Sequence, residues 1–223
     1  MGYLSFNLQI AGKTILVIGG GTVAERKVTS ILAAGAKLSV ISPTLTYALQ
    51  RLRDEEKITH LPRKYRSGDL ADAFMVIAAT NDREANRAVA AEAATLGILA
   101  EVTDNPAAGN VTSPAIIRQG DLSVAISTNN LAPALAAAIK KELVPLFGPE
   151  YAKSVRLLGA IREKLLTEGV ASTYNKQVLR DLAEKLPALF ASGAEKEIDK
   201  LLQKHLGADC SLASFEPETV ENQ

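Results

Sequence analysis

The rhythm of apolar and polar positions changes twice along the chain. Residues 14–18, Thr-Ile-Leu-Val-Ile, form a nearly continuous apolar run that ends in Gly19-Gly20-Gly21. Ala24, Val28, Ile31 and Leu32 then recur at helical spacing until Gly35. A short apolar run followed by a 3.6-residue period predicts a buried strand feeding a helix. The alternation continues. Residues 37–41 predict a second strand, closed by Ser42-Pro43, and residues 58–61 a short third one. Residues 74–79 predict a buried fourth strand, Asn81-Asp82 a cap, and residues 83–96 a helix. Residues 98–102 predict the fifth strand. Apolar strands separated by helices predict a parallel sheet covered on both faces.

After about Asn110 the pattern differs. Residues 115–118 and 122–127 are strand-like and flank Gln119-Gly120-Asp121, which predicts a hairpin. Residues 133–146 predict an Ala-rich helix with Pro133 in its first turn. From Glu150 onward three helical stripes follow: Val155, Leu158, Ile161 and Leu165; Val178, Leu182, Leu186 and Leu189; Ile198, Leu201, Leu202 and Leu206. The expected division is a parallel-sheet domain over 1–112, a small strand–helix segment over 113–148, a helical C-terminal domain over 149–208 and a flexible tail over 209–223.

The first turn carries candidate chemistry. Gly19 to Ala24 reads G-x-G-x-x-A directly after a predicted strand and at the head of a predicted helix. In that context Gly19 permits the tight turn, Gly21 lets a pyrophosphate approach the backbone, and Ala24 lets the helix lie close on the sheet. The free N–H groups and dipole at the helix start favour phosphates. The fold class is therefore α/β, with a Rossmann-like parallel sheet that binds a dinucleotide. The acidic residue that normally takes the adenosine ribose about 20 positions on is missing. The second strand ends Ile41-Ser42-Pro43-Thr44, and no Asp or Glu occurs before Asp54. Ser42, Thr44 or backbone groups must serve there. No basic residue stands at that strand end either, so spacing alone does not choose between NAD and NADP.

Composition narrows the partners. Among 223 residues, Lys+Arg and Asp+Glu are 25 each, which argues against general attraction to nucleic acid or an anionic membrane. At 47% hydrophobic and 22% charged residues, the chain can build a core. Its single cysteine excludes an internal disulfide, and His60, His205 and Cys210 lie too far apart to read as a zinc site. No apolar run reaches the ~18 residues of a membrane span. With no secretory pattern at residues 1–10, the expected location is cytoplasmic.

Several blocks taken together resemble one family. Asn7-Leu8-Gln9-Ile10, Val17 to Lys27, Ala78-Ala79-Thr80-Asn81-Asp82, Val102-Thr103-Asp104, Ala125 to Thr128 and Ala132 to Ala136 occur in order. They resemble the precorrin-2 dehydrogenase / sirohydrochlorin ferrochelatase family, the N-terminal module of siroheme synthases, over residues 1–165. The resemblance implies an NAD-binding Rossmann-like domain, a homodimer built through residues 113–148, and a helical C-terminal domain. It implies NAD-dependent oxidation of precorrin-2 to sirohydrochlorin, which some members follow with insertion of ferrous iron. Cobaltous ion is the alternative metal substrate. No stretch reads as a methyltransferase domain, so no methylating activity is expected.

Carried over by position, the family's cofactor contacts fall on the glycine turn with Thr22 and Val23, and on Pro43 and Thr44. Thr80 and Asn81 should line the same crevice, outside the carboxyl ends of the strands. Asp104 matches the family's functional aspartate and is the candidate catalytic residue, and also the candidate to handle a metal ion. Without the family it reads as a loop aspartate before the turn signal Asn105-Pro106. Ser127, Thr128 and Arg118 are candidates for the carboxylate-rich tetrapyrrole, against turn chemistry for the first two and simple solvation for the third. Asn129-Asn130 stand where the family commonly has a Gly pair, and Asn tolerates positive φ better than most residues. The competing function is a dinucleotide-sensing regulatory module without catalysis, since fold alone does not decide function.

Overall fold

The computed structural model describes residues 2–167 and 172–215. The chain divides into two compact units between Ser113 and Pro114. In the first, five parallel strands are ordered β3-β2-β1-β4-β5, with β1 Thr14–Ile18, β2 Lys37–Ile41, β3 Thr59–Leu61, β4 Met75–Ala78 and β5 Leu99–Val102. Helices α1 Thr22–Leu32, α2 Tyr47–Asp54 and α3 Arg83–Leu96 connect them. This is the expected α/β arrangement. Every side chain of β4 is buried, as a central parallel strand requires.

The two faces of the sheet carry separate cores. On one, Ala24, Val28 and Ile31 of α1 pack with Ile15, Val17, Val40 and Ile77. On the other, Val89, Ala90 and Ala93 of α3 pack with Leu16, Ile18, Val76 and Val102. Alternation of side chains along each strand sends neighbours to opposite faces. Ala24 is fully buried, so α1 lies close on the sheet where the pattern needs a small residue. Lys27 of α1 and Glu101 of β5 form an ion pair in the first core, and Glu101 also accepts from the N–H and hydroxyl of Ser113. Those extra donors satisfy a carboxylate that is 8% exposed.

The second unit holds an antiparallel hairpin, β6 Ala115–Gln119 and β7 Leu122–Ile126, turned at Gly120-Asp121. Helices α4 Pro133–Leu143, α5 Pro149–Thr167, α6 Ser172–Ala191 and α7 Glu195–Leu206 follow. The hairpin, α4 and the later helices thus belong to one unit. Two expectations change. The helix expected over 133–146 stops at Leu143, and Val144–Leu146 is a 3-10 turn. Pro145 has no N–H to continue the α ladder. The buried α5 stripe is Ser154, Leu157, Ile161 and Leu165; of the expected positions Ile161 and Leu165 belong to it, while Val155 and Leu158 are half-buried at its edge and Leu158 packs on the core. The start of the expected flexible tail is also corrected. Cys210 is buried, Leu212 and Phe215 pack on the helical core, and the Leu212 N–H donates to Asp199 Oδ1 at 2.8 Å. Residues 216–223 lie outside the described residues.

Candidate functional site

The strand order reverses between β1 and β4, and a doubly wound sheet opens a crevice at such a point, beyond the carboxyl ends of its strands. A cavity of about 500 Å³ lies there. Its walls come from the ends of three strands: Gly19, Gly20 and Gly21 after β1, Ser42 to Thr46 after β2, and Ala79 to Asp82 after β4. Lys64 and Tyr65 complete it from the segment after β3.

The three glycines have different reasons to be there. Gly19 has φ +122°, and a Cβ would stand 2.3 Å from the carbonyl oxygen of Ala79. A Cβ on Gly20 would stand 2.0 Å from the carbonyl oxygen of Thr44. Gly21 has an ordinary φ of −85°, and a Cβ there would meet nothing within 4 Å. Neither strain nor the protein's own atoms demand glycine at 21. The space it leaves opens into the cavity it lines. Helix capping points the same way. Thr46 caps α2 and Asp82 caps α3 with side-chain oxygens, whereas α1 starts at Gly21 with no side-chain cap. Its first N–H groups are left for solvent or an anion. The crevice therefore fits the pyrophosphate of a dinucleotide, with Gly19, Gly20, Gly21 and Thr80 as the groups that would hold it.

Of the residues expected from sequence, Gly19, Gly21, Ser42, Pro43, Thr44, Thr80 and Asn81 line this cavity. Thr22 and Val23 form the first turn of α1, and Ala24 is buried beneath it. Ser42 is 7% exposed, and its hydroxyl donates to the Thr44 carbonyl at 2.7 Å. That bond spends its one proton on shaping the strand end. Asp104 follows β5 outside the cavity wall, but a side-chain chain links it to the wall. Asn86 Nδ2 donates to Asp104 Oδ1 at 2.8 Å and to the Thr80 carbonyl at 3.0 Å.

Arg118, Ser127 and Thr128 belong to the second unit. Arg118 is exposed on β6. Ser127 Oγ accepts from the Asn129 N–H at 3.1 Å, and Thr128 Oγ1 accepts from the Ala132 N–H at 3.2 Å. Both hydroxyls thus shape the turn into α4. Asn129 and Asn130 adopt φ +52° and +61°, the conformation for which glycine would otherwise be used.

Sequence reasoning missed Lys64, Tyr65 and Asn86. The run Arg63-Lys64-Tyr65-Arg66 directly after the third strand was the available signal for the first two. Their segment is fastened at both ends. Arg63 clasps Asp69 with two bonds of 2.7 Å, which holds the Asp69 carboxyl below its ordinary range. Glu92 of α3 accepts from the Tyr65 hydroxyl and from the N–H groups of Gly68 and Leu70. Burial pushes the Glu92 carboxyl up, but these donors outweigh it and the net shift is down. Burial first, and then its hydrogen bond to Glu92, push the Tyr65 hydroxyl up, so it stays protonated.

The chain is similar to known proteins over most of its length. Residues 6–115 match the family model described as "Putative NAD(P)-binding". The chain is 37% identical over 163 residues to a siroheme synthase of Chromobacterium violaceum, covering 73% of this chain and 35% of that protein. It is 32% identical over 214 residues to siroheme synthase 1 of Aeromonas salmonicida, covering 93% of this chain and 46% of that one. It spans less than half the length of these relatives. Among solved structures, SirC, a precorrin-2 dehydrogenase, superposes with a TM-score of 0.69 at 25% identity, covering 87% of this chain and all of SirC. These likenesses support a nicotinamide dinucleotide as the cofactor, and the chain is similar to siroheme synthases and to a precorrin-2 dehydrogenase.

Proposed function

We propose that the chain oxidises precorrin-2 to sirohydrochlorin with NAD as hydride acceptor. One observation carries the reading: a carboxylate, Asp104, is wired through Asn86 to Thr80 in the wall of the dinucleotide crevice. Dehydrogenation removes a hydride and a proton from the tetrapyrrole. The nicotinamide, when bound, takes the hydride. The proton needs a base within hydrogen-bond reach, and geometry decides the candidate before pKa does. Asp104 is exposed, so it is open to a substrate. Gly21 and the uncapped head of α1 receive the pyrophosphate, and Thr80 and Asn81 border the route toward Asp104.

Contacts at the second strand support NAD over NADP. A smaller cavity there is lined by Pro43, Thr44, Gln50, Arg53 and His60 among others. Arg53 gives both Nε and Nη2 to Asp54 Oδ1, at 2.9 and 2.7 Å. His60 Nε2 lies 2.9 Å from the Ser42 carbonyl and donates to it. A 2′-phosphate would have to compete for both groups. Ferrous or cobaltous ion, where inserted, is read as a further substrate, with Asp104 receiving protons released from pyrrole nitrogens. A homodimer is part of the same reading. Leu131 is 89% exposed, Leu135 54% and Leu146 60%, apolar surface around α4 that a second copy would cover.

The test is anaerobic turnover of precorrin-2, followed by absorbance, first with NAD, then with NADP, then with NAD plus ferrous or cobaltous ion. Conversion with NAD supports the dehydrogenase. Tight NAD binding with no conversion favours the dinucleotide-sensing module.

A further inference from the structure

We propose that Asn86 is a positioning residue: its buried carboxamide fixes the Asp104 carboxylate and ties it to the cofactor-facing Thr80 segment. The inference rests on the reading of Asp104 as the base and adds a device that sets its geometry.

Asn86 sits in the first turns of α3, on the face that otherwise buries Val89, Ala90 and Ala93. It is 1% exposed. An apolar residue would pack there without cost, while a buried amide is costly unless its polar atoms are all paired. Here they are. Oδ1 accepts from the Thr80 N–H at 3.3 Å and lies 2.8 Å from Thr80 Oγ1. Nδ2 donates to the Thr80 carbonyl at 3.0 Å and to Asp104 Oδ1 at 2.8 Å. An amide has two N–H groups and one carbonyl oxygen, so this set uses its capacity. The partners also fix which way round it points. The Thr80 N–H can only donate, and the Thr80 carbonyl and Asp104 carboxylate would repel an oxygen. The amino group therefore faces Asp104.

Asp104 Oδ1 is thereby anchored, while Oδ2 takes no hydrogen bond from the described residues. The anchored oxygen sets the plane of the carboxylate, and the other is left to receive a proton. The charged side chains that line the cofactor cavity, Lys64 and Asp82, lie 4.0 Å apart, and neither hydrogen-bonds Asp104. Thr80 carries the second half of the device, because its backbone is held by the same amide and lines the cofactor cavity. One side chain thus sets the distance between cofactor wall and base. A displacement of about 1 Å at such a site costs roughly 10²-fold in rate.

The experiment is a double-mutant cycle on the full chain with Asn86→Leu, Asp104→Asn and both, measuring kcat, the KM for precorrin-2, and the Kd for NAD by calorimetry. Asn86→Leu is expected to lower kcat by about tenfold or more, with KM within about twofold. In the Asp104→Asn background the same change should alter kcat by less than about twofold, because the residue acts through Asp104. In the unliganded protein, the Asn86 side-chain NH₂ resonances should move on Asp104→Asn. Equal fold losses in both backgrounds, an unchanged kcat, or unmoved resonances would each overturn the proposal. Full activity in Asp104→Asn alone defeats the base reading, and the proposal with it. A loss there beside a silent Asn86→Leu defeats the proposal only. If Asn86→Leu does not fold, Asn86→Ser, which also lacks the amide, carries the same comparisons.

Discussion

Gly21→Asp should separate folding from cofactor binding. Its backbone φ of −85° suits any residue, and a Cβ there meets no atom within 4 Å. Aspartate is also a favoured N-cap, and α1 has none, so stability should hold or rise by up to about 1 kcal/mol. The cofactor is affected quite differently. The new carboxylate stands where the pyrophosphate would approach. A charge about 5 Å from a phosphate charge costs about 3 kcal/mol at an effective dielectric of about 20. Salt screening and side-chain rotation reduce this, and about 1.4 kcal/mol, tenfold in affinity, is the floor expected. Gly19→Ala is the opposite control. With φ +122° and a carbonyl oxygen 2.3 Å from its Cβ, strain alone should cost about 1–3 kcal/mol. For a chain of this size that is a Tm fall of about 2–4 °C per kcal/mol. Calorimetric titration with NAD and thermal unfolding of both variants provide the readings. Unchanged NAD affinity in Gly21→Asp would refute the assignment of the open space, and so would a loss of binding that merely follows unfolding.

Asp104→Asn should leave NAD affinity and Tm near wild type while turnover falls by about 10²-fold or more, the usual weight of a positioned base; single-turnover absorbance checks it. Light scattering at micromolar concentration should return a dimer, and Leu131→Lys with Leu135→Lys should shift it toward monomer. The Arg63–Lys64–Tyr65 segment should make stability acid-sensitive. Glu92 and Asp69 have folded pKa values below their ordinary ones, so their contribution is complete above the unfolded values, about 4.5 and 3.8, and is lost as pH falls through the lower folded ones. Urea midpoints across that range should fall more steeply for wild type than for Glu92→Gln, and parallel slopes would sink the idea. Asn129→Ala and Asn130→Ala should each cost about 1–2 kcal/mol, because alanine lacks the tolerance of asparagine for positive φ.

Much of the first unit was legible because its central strands β1 and β4 are buried on both faces and read as short continuous apolar runs. Helix α2 was not, since it is only eight residues long and its stripe is short, Leu49 and Leu52 following Leu45 among Gln50, Arg51, Arg53 and Asp54. Its start is written instead in Thr46, whose hydroxyl accepts from the Leu49 N–H. On α5 the pattern leaves the centre of the buried face open, because Val155, Leu157, Leu158 and Ile161 offer two overlapping stripes, and packing against the other helices puts Leu157 at the centre and Leu158 at the edge. In the site, strand-end positions could be read from the glycine spacing. Asn86 could not, because an asparagine inside a helical run looks solvent-facing until Thr80 and Asp104 come together around it from distant parts of the sequence.

Glycine and asparagine at the two turns clarify what the first turn is for. Asn129 and Asn130 hold positive φ, a conformation that glycine adopts without strain. That position needs a backbone conformation, and asparagine can supply it at modest cost. Gly19 needs a conformation and also clearance from Ala79, so no such exchange is open to it. Gly20 needs clearance from Thr44. Gly21 needs neither, yet stands at the start of the one helix of the sheet unit that lacks a side-chain cap. A Ser or Asp there would supply the missing side-chain cap and typically stabilise the helix by a few tenths of a kcal/mol relative to glycine. Folding alone would favour such a residue. What a side chain at 21 would forfeit is the bare approach to the helix N–H groups, which matters only if a phosphate is to occupy it.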